Sequence, residues 1–375
     1  MTPPAQIPSP QTAAEAESLA LELFVAGYEG KSLPASYRDR LQRGMSGVIL
    51  FKRNLEHNAA GEIDVASLTA HTASVQAARS GELPALCAVD QEGGLVARLR
   101  APFMHLPPMA KIAALGERVC QLAGAQTGRE CLAAGFNVDF APVLDIDTNP
   151  DNPIIGERAF GKDPQAVIRL AGAFVDGLQS TGVLGCGKHF PGHGDTDTDS
   201  HLALPVLNFG FDRLKDIELA PFAALASKLP MIMTAHILYR QLDDTYPATL
   251  SPKILEPLLR QRCNYQGVIV SDDLEMKGVA EAFTYRQSVR LGLAAGVDLF
   301  LVCKLEQALN ESVDEAAKII RDGGQVAAKA LRAIERVRRL RGAAPLPNPT
   351  VAEVQRSFEH EDRATLRTEL RRKDL

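Results

Sequence analysis

The stretch VLGCGKHFPGHGDTDTDSH, residues 183–201, is where the fold is decided. Its first half, Val183 to Lys188, is a short apolar run bounded by Gly182, with the length and branching of a buried strand. Lys188 and His189 therefore stand at a strand's C-terminal end. Pro191, Gly192 and Gly194 forbid a regular helix or strand beyond it, so the chain up to His201 reads as a shaped, exposed loop. Ionisable groups gathered just past the end of a buried strand serve no packing purpose. They mark the reactive face of a sheet.

The same punctuation recurs along the chain. Strands are expected at Gly47 to Phe51, Leu86 to Val89, Asn137 to Phe140, Val183 to Lys188, Met231 to Thr234, Val268 to Ser271 and Leu299 to Cys303, which makes seven. Longer helical patterns separate them, the alternation of a parallel βα sheet. Asp163 before Pro164 and Ser251 before Pro252 each read as a cap with proline at the first helical position, and Gly296 as a helix terminator. Polar residues follow the strands: Asp90, then Asp139 and Asp145 around Phe140, then Lys188 and His189, His236, and Asp272 with Asp273. Reactive groups at strand C-termini are the signature of a (β/α)8 barrel. A doubly wound sheet also binds ligands there, but neither GxGxxG after the first strand nor GxxxxGK[ST] anywhere is present. The expectation is one α/β chain folded as a single TIM-type (β/α)8 barrel, irregular in places, with a C-terminal helical extension.

Composition fits that size. The chain has 375 residues, 46% hydrophobic, with a net charge of −5 and no Trp, so it offers neither a basic footprint nor a tryptophan platform for nucleic acid. No apolar run reaches the ~18 residues of a membrane span, and MTPPAQIPSPQTAAEAE lacks the basic start and apolar core of a secretion signal. A cytoplasmic enzyme is expected, without a nucleic-acid or membrane partner, and a monomer is favoured. The boundaries read as a disordered leader at 1–14, a catalytic barrel at 15–342, and a proline-rich linker with a charged tail at 343–375. Six acidic and six basic residues balance in 351–375, which reads as an exposed amphipathic helix. The six cysteines, three of them in strand-like runs and none in a CxxC pair, are expected to be reduced and buried.

Asp199 and His201 are two apart, and a carboxylate holding one imidazole nitrogen leaves the other to move a proton near neutrality, since histidine titrates at about 6.5. That suits a general acid/base. Asp195, Asp197 and Asp199 have the spacing of a calcium loop, yet Ser200 stands where glycine is needed and Val206 where a bidentate glutamate is needed. Zinc on His189, His193 and His201 lacks any supporting HExxH or CxxC. His193, deep in the glycine turn, fits structural hydrogen bonding. In VIVSDDLEM, residues 268–276, an aspartate directly after a buried strand has the fixed direction a carboxylate nucleophile needs. Asp272 is the candidate; Asp273 would point away and support the next turn. The alternative is that both aspartates only cap the next helix.

KHFPGHG followed after four residues by DSH resembles the signature loop of the bacterial β-N-acetylglucosaminidases of glycoside hydrolase family 3, the NagZ type, and SDDLEM resembles their nucleophile segment. The likeness extends to LFVAGYEG at 23–30, GVILFKRN at 47–54, VDQEGGLVARLR at 89–100, FAPVLDI at 140–146 and NPIIGERAFG at 152–161, covering most of residues 15–340. It implies Asp272 as nucleophile, His201 as acid/base and Asp199 as its partner. It implies that Asp90, Arg98, Arg158, Lys188 and His189 hold the hydroxyls of a non-reducing N-acetylglucosamine. Standing alone, without these motifs, Arg98 and Arg158 read more readily as ordinary rim salt bridges.

The implied activity is retaining removal of terminal N-acetylglucosamine, from an N-acetylglucosaminyl anhydro-muropeptide in cell-wall recycling, with no metal and no organic cofactor. Phosphate as acceptor, a broader β-glycosidase and a non-catalytic sugar-binding barrel are the alternatives. Glycines in the 195–201 segment suit a lid that closes on substrate. The second sandwich domain of larger family 3 glucosidases is missing from the chain.

Overall fold

The computed structural model describes residue 7 and residues 10–200 and 202–373. In chain order the strands are β1 (Phe24–Ala26), β2 (Gly47–Ile49), β3 (Leu86–Val89), β4 (Gln91–Gly93), β5 (Val96–Ala97), β6 (Val138–Asp139), β7 (Leu184–Phe190), β8 (Val206–Leu207), β9 (Met231–Thr234), β10 (Leu238–Tyr239), β11 (Val268–Asp273) and β12 (Leu299–Val302). Eight of them, β1-β12-β11-β9-β7-β6-β3-β2, form a closed parallel barrel, and β1 pairs with β2 to shut it. The (β/α)8 barrel expected from the sequence is the fold.

The expected count of seven strands is corrected to eight. The missing strand is β1, three buried residues that follow the helix Ala13–Leu21 after a gap of only two. Its apolar residues run on from those of the helix, so no change of period announces it.

Side chains alternate across each strand, and the alternation divides the molecule into two cores. Leu86 and Ala88, Leu184 and Cys186, Val268 and Val270, Leu299 and Leu301 share the core inside the barrel. Cys87, Val89, Ile269, Phe300 and Val302 face the larger core beneath the helices. Val337, Leu340 and Ala344 join the inner core, and Arg341 beside them donates to the carbonyls of Leu83 and Pro84 just before β3. The helix Gly324–Ala343 thus plugs the N-terminal mouth. The C-terminal mouth stays open.

The helix signals are met unevenly. Asp163 accepts from the Ala166 N–H at 2.9 Å and caps Pro164–Gln179, and Gly296, at φ 109°, ends Tyr285–Ala295. Ser251 does not cap: its hydroxyl donates to Asp243 at 2.6 Å, and after one turn the chain widens into a π-helix over Leu255–Arg262. Pro257 lies in that segment and has no N–H to give the regular ladder.

The tail is not exposed as expected. Helices Val351–Glu359 and Glu361–Arg371 pack on helix Glu117–Ala133 and bury Val354, Leu366 and Leu370. Most of the leader lies outside the described residues, and its last two residues, Ala13 and Ala14, already belong to the first helix. All six cysteines are free and buried. Among the described residues no helix is long and apolar enough to cross a membrane.

Candidate active site

The open mouth holds a cavity of about 680 Å³. Its floor is the top of the inner core, Ile49, Phe140, Met233 and Leu301. The register that fills the barrel also aims the reactive groups. Asp90 continues the inward set Leu86 and Ala88, Lys188 continues Leu184 and Cys186, and Asp272 continues Val268 and Val270. All three line the cavity, together with Arg98, Arg158 and His189.

Four of these side chains, Asp90, Arg98, Lys188 and Arg158, form one ionic lattice with Glu92, which also lines the cavity. Asp90 accepts from Arg98 at 3.0 Å and from Lys188 at 3.1 Å. Glu92 lies 2.5 Å from the Lys188 ammonium and accepts both Nε and Nη2 of Arg158 at 2.8 Å, a bidentate pair. Burial alone would raise the Asp90 carboxyl, but Lys188 and Arg98 outweigh it and hold it below the ordinary range. Burial is likewise overridden at Glu92, whose carboxyl Arg158 and Lys188 pull far down, and at Lys188, which Glu92 and Asp90 keep protonated. Three cations face two carboxylates, so the wall carries one positive charge in excess and a fan of N–H donors.

Asp145 organises the next sector. Its carboxylate accepts His189 Nδ1–H at 2.6 Å and the backbone N–H groups of His189 and His193, the latter at 2.7 Å. Nδ1 is thereby occupied, which leaves Nε2 for a ligand in the cavity that His189 lines. His193 is buried between Thr196 Oγ1 at 2.8 Å and Ser200 Oγ at 3.0 Å, and burial lowers it to about 4. It is a neutral brace for the loop.

On the far side, Asp272 accepts the Asp273 N–H at 2.8 Å. Asp273 accepts N–H bonds from Glu275 and Cys303, each at 3.1 Å, and its carbonyl receives Nε2–H of buried His236 at 3.0 Å. Burial, reinforced by Glu275, pushes Asp273 up to about 7. Asp273 holds the turn that presents Asp272. Asp199 lies half-buried in the loop, its carbonyl accepting from Leu202 and Ala203, while Ser200 next to it lines the cavity. His201 falls outside the described residues.

Residues 36–340 match the model described as the glycosyl hydrolase family 3 N terminal domain. The chain belongs to glycosyl hydrolase family 3. A curated relative named beta-hexosaminidase, from Neisseria meningitidis serogroup C, is 39% identical over 280 residues, 72% of this chain and 74% of the relative. The solved structure of NagZ from Neisseria gonorrhoeae superposes with a TM-score of 0.75 at 31% identity, over 92% of this chain and 96% of that one. A fungal multi-domain GH3 beta-N-acetylglucosaminidase superposes with a TM-score of 0.86 at 30% identity, taking in 93% of this chain and 42% of the longer fungal one.

Two residues of this family 3 site escaped the sequence reading. Glu92, buried at 3% exposure, joins Lys188 to Arg158. Asn152 accepts the N–H groups of Ile154 and Ile155 and donates to the His193 carbonyl at 2.9 Å, tying the Arg158 turn to the histidine loop. The signal for Glu92 was the Gly93-Gly94 pair after it. Such a pair marks a hairpin turn and places Glu92 on a short strand against the cavity.

Proposed function

We propose that this family 3 hydrolase is a retaining exo-β-N-acetylglucosaminidase. Asp272 is the nucleophile, and Asp90, Arg98, Arg158, Lys188 and His189 grip the hydroxyls of the terminal sugar. The observation that carries the reading is the placement of β3 and β11, which stand four strands apart whichever way round the barrel is counted. Asp90 directly follows β3 and Asp272 is the last residue but one of β11, so a pyranose held by the ionic wall presents its far side to the carboxylate.

Asp272 attacks the anomeric carbon as the glycosidic C–O bond breaks, and His201 gives its proton to the departing oxygen; a glycosyl–Asp272 ester results. Water then attacks the same carbon, His201 takes its proton, and Asp272 leaves as carboxylate. Asp199 orients the imidazole. Ser200, which lines the cavity one residue before His201, supports that assignment. A histidine acid suits neutral pH without a carboxyl raised by burial.

The cavity, at about 680 Å³, has room beyond one sugar ring for an aglycone. An N-acetylglucosaminyl anhydro-muropeptide from wall recycling is the proposed substrate, acted on by a monomer in the cytoplasm. The beta-hexosaminidase name of the Neisseria relative supports the sugar.

The test is release of 4-nitrophenol from its β-N-acetylglucosaminide and from the matching β-glucoside, with and without phosphate. Release from the first substrate alone, unchanged by phosphate, is expected. Preference for the glucoside contradicts the sugar assignment, and sugar 1-phosphate as product contradicts hydrolysis.

A further inference from the structure

Residues 351–371 lie beyond the segment that matches the family, yet their contacts reach the sugar side of the cavity through segment 100–106. Asp90 and Arg98 bracket the hairpin β4–β5, whose turn is Gly94–Leu95. Gln91 zips the hairpin at its base. Its side-chain oxygen accepts the N–H groups of Arg98 and Leu99 at 2.9 Å, and its amide donates to the Leu99 carbonyl at 2.9 Å. Segment 100–106 props the tip. Gly94 donates its N–H to the Leu106 carbonyl at 2.9 Å, and the His105 ring donates to the Gly94 carbonyl at 2.8 Å.

That prop is gripped by the tail. Arg363, 3% exposed, donates to the Pro102 carbonyl at 2.7 Å and lies 3.5 Å from Glu130. Glu130 in turn accepts the Met104 N–H at 2.7 Å and the Gln126 amide at 2.7 Å. Phe358 meets Phe103 edge-on at 5.3 Å between centroids, and the Arg363 guanidinium lies 4.3 Å from its ring centre. Two further bonds hold the helices down: Gln126 donates to the Ser357 carbonyl at 3.2 Å, and Arg129 pairs with Asp362 at 3.0 Å.

We propose that the C-terminal helix pair is a positioning element for substrate binding, in which Phe358 and Arg363 fix segment 100–106 and thereby the hairpin that carries Asp90 and Arg98. The role in turnover rests on the proposed N-acetylglucosaminidase activity; the mechanical linkage does not. Segment 100–106 has little regular structure of its own, so its place depends on what it is packed against. A tail that merely added stability would have no reason to converge on Pro102, on Phe103 and on the Glu130 carboxylate that holds Met104.

The experiment compares Arg363→Ala, Arg363→Lys and Phe358→Ala with the full-length protein, each also in an Arg98→Ala background. Hydrogen exchange is read at the amides of Gly94, Arg98, Leu99 and Met104, and kcat/KM on the 4-nitrophenyl N-acetylglucosaminide. In Arg363→Ala those amides exchange about tenfold faster while β7 and β11 are unchanged, and kcat/KM falls about tenfold, because a local contact rather than global stability has been lost. Arg363→Lys recovers part of the loss. In the Arg98→Ala background the further loss shrinks to about twofold or less, the non-additivity of residues acting through one another.

Unchanged exchange at the four amides, or equal losses in both backgrounds, overturns the proposal. If Arg363→Ala does not fold, Phe358→Ala carries the same comparison without leaving Glu130 unpaired. A wild-type protein inactive on the sugar sinks the sugar reading, and the exchange measurement then still decides the linkage.

Discussion

Glu92 is the side chain on which the positive wall of the cavity depends. Replacing it with Gln keeps the shape but removes the charge shared by Lys188 and Arg158, leaving buried cations undercompensated, a change that costs about 3–5 kcal/mol where it has been measured. Glu92→Gln is expected to lower kcat/KM about 100-fold, whereas Arg98→Ala, at a more exposed pair, costs about tenfold. Steady-state kinetics on the two variants checks the order. A second residue prediction concerns Asp139, fully buried at the end of β6, with Oδ1 bonded to the Gln91 N–H and Oδ2 without a hydrogen bond among the described residues. Burial pushes it up to about 7 from 3.8. The folded protein therefore holds a proton there that the unfolded chain releases, so this contribution to stability is complete below about pH 4 and is lost as pH rises through 7. Asp139→Asn keeps the Gln91 bond and does not titrate. Its stability relative to wild type should rise by about 1–3 kcal/mol between pH 5 and pH 8, read as the difference in thermal midpoints. A constant difference across that range contradicts the assignment.

At the scale of elements, the loop after β7 is anchored along its first half. Asn152 donates to the carbonyls of His193 and Gly194, Thr148 donates to Asp195, Arg213 pairs with Asp195 at 2.6 Å, and Tyr239 donates to the Gly192 carbonyl. Asp195 and Thr196, the first two residues of the segment expected as a lid, are thereby tied down. Gly194 is required by close approach: a Cβ there would stand 1.6 Å from the Ile146 carbonyl oxygen. Gly194→Ala must push the loop off the Ile146 backbone. It should cost about 1–3 kcal/mol in denaturant unfolding, and kcat should fall at least about tenfold because His193 and its neighbours shift.

The elements also show what the sequence could reveal. Strands β3, β7 and β11 were legible, with their inward polar residues, because each is an apolar run of distinct period ending in charge. β1 was not, since three residues joined to a helix leave no period to read, and the hairpin β4–β5 was hidden by strands of three residues and two. Ser251 failed as a cap because Asp243, eight residues away, competes for its hydroxyl. The tail helices looked exposed because their apolar residues are few. Their place is set by packing on helix Glu117–Ala133 and by Arg363 and Phe358 meeting Glu130 and Phe103, partners more than two hundred residues away that no local pattern announces.

Across the whole molecule, one repeated geometric rule converts packing into chemistry. The register that fills the barrel with Leu, Val and Met side chains turns polar at the last inward position of β3, β7 and β11, so the lattice of Asp90, Lys188 and Glu92 and the carboxylate of Asp272 converge on one cavity. Below the cavity, Val337, Leu340 and Ala344 close the inner core. The central claim is that Asp272 becomes bonded to the sugar. The direct test is to treat the protein with a fluorinated N-acetylglucosaminyl fluoride, whose ring fluorine slows both steps but whose good leaving group lets the first proceed, and to locate the added mass by peptide sequencing in a mass spectrometer. The account predicts one sugar per chain, on Asp272 within the peptide carrying Val268–Met276, and none in Asp272→Asn. A stable adduct on another carboxylate, or hydrolysis of the ordinary glycoside that releases the inverted anomer first, would contradict it.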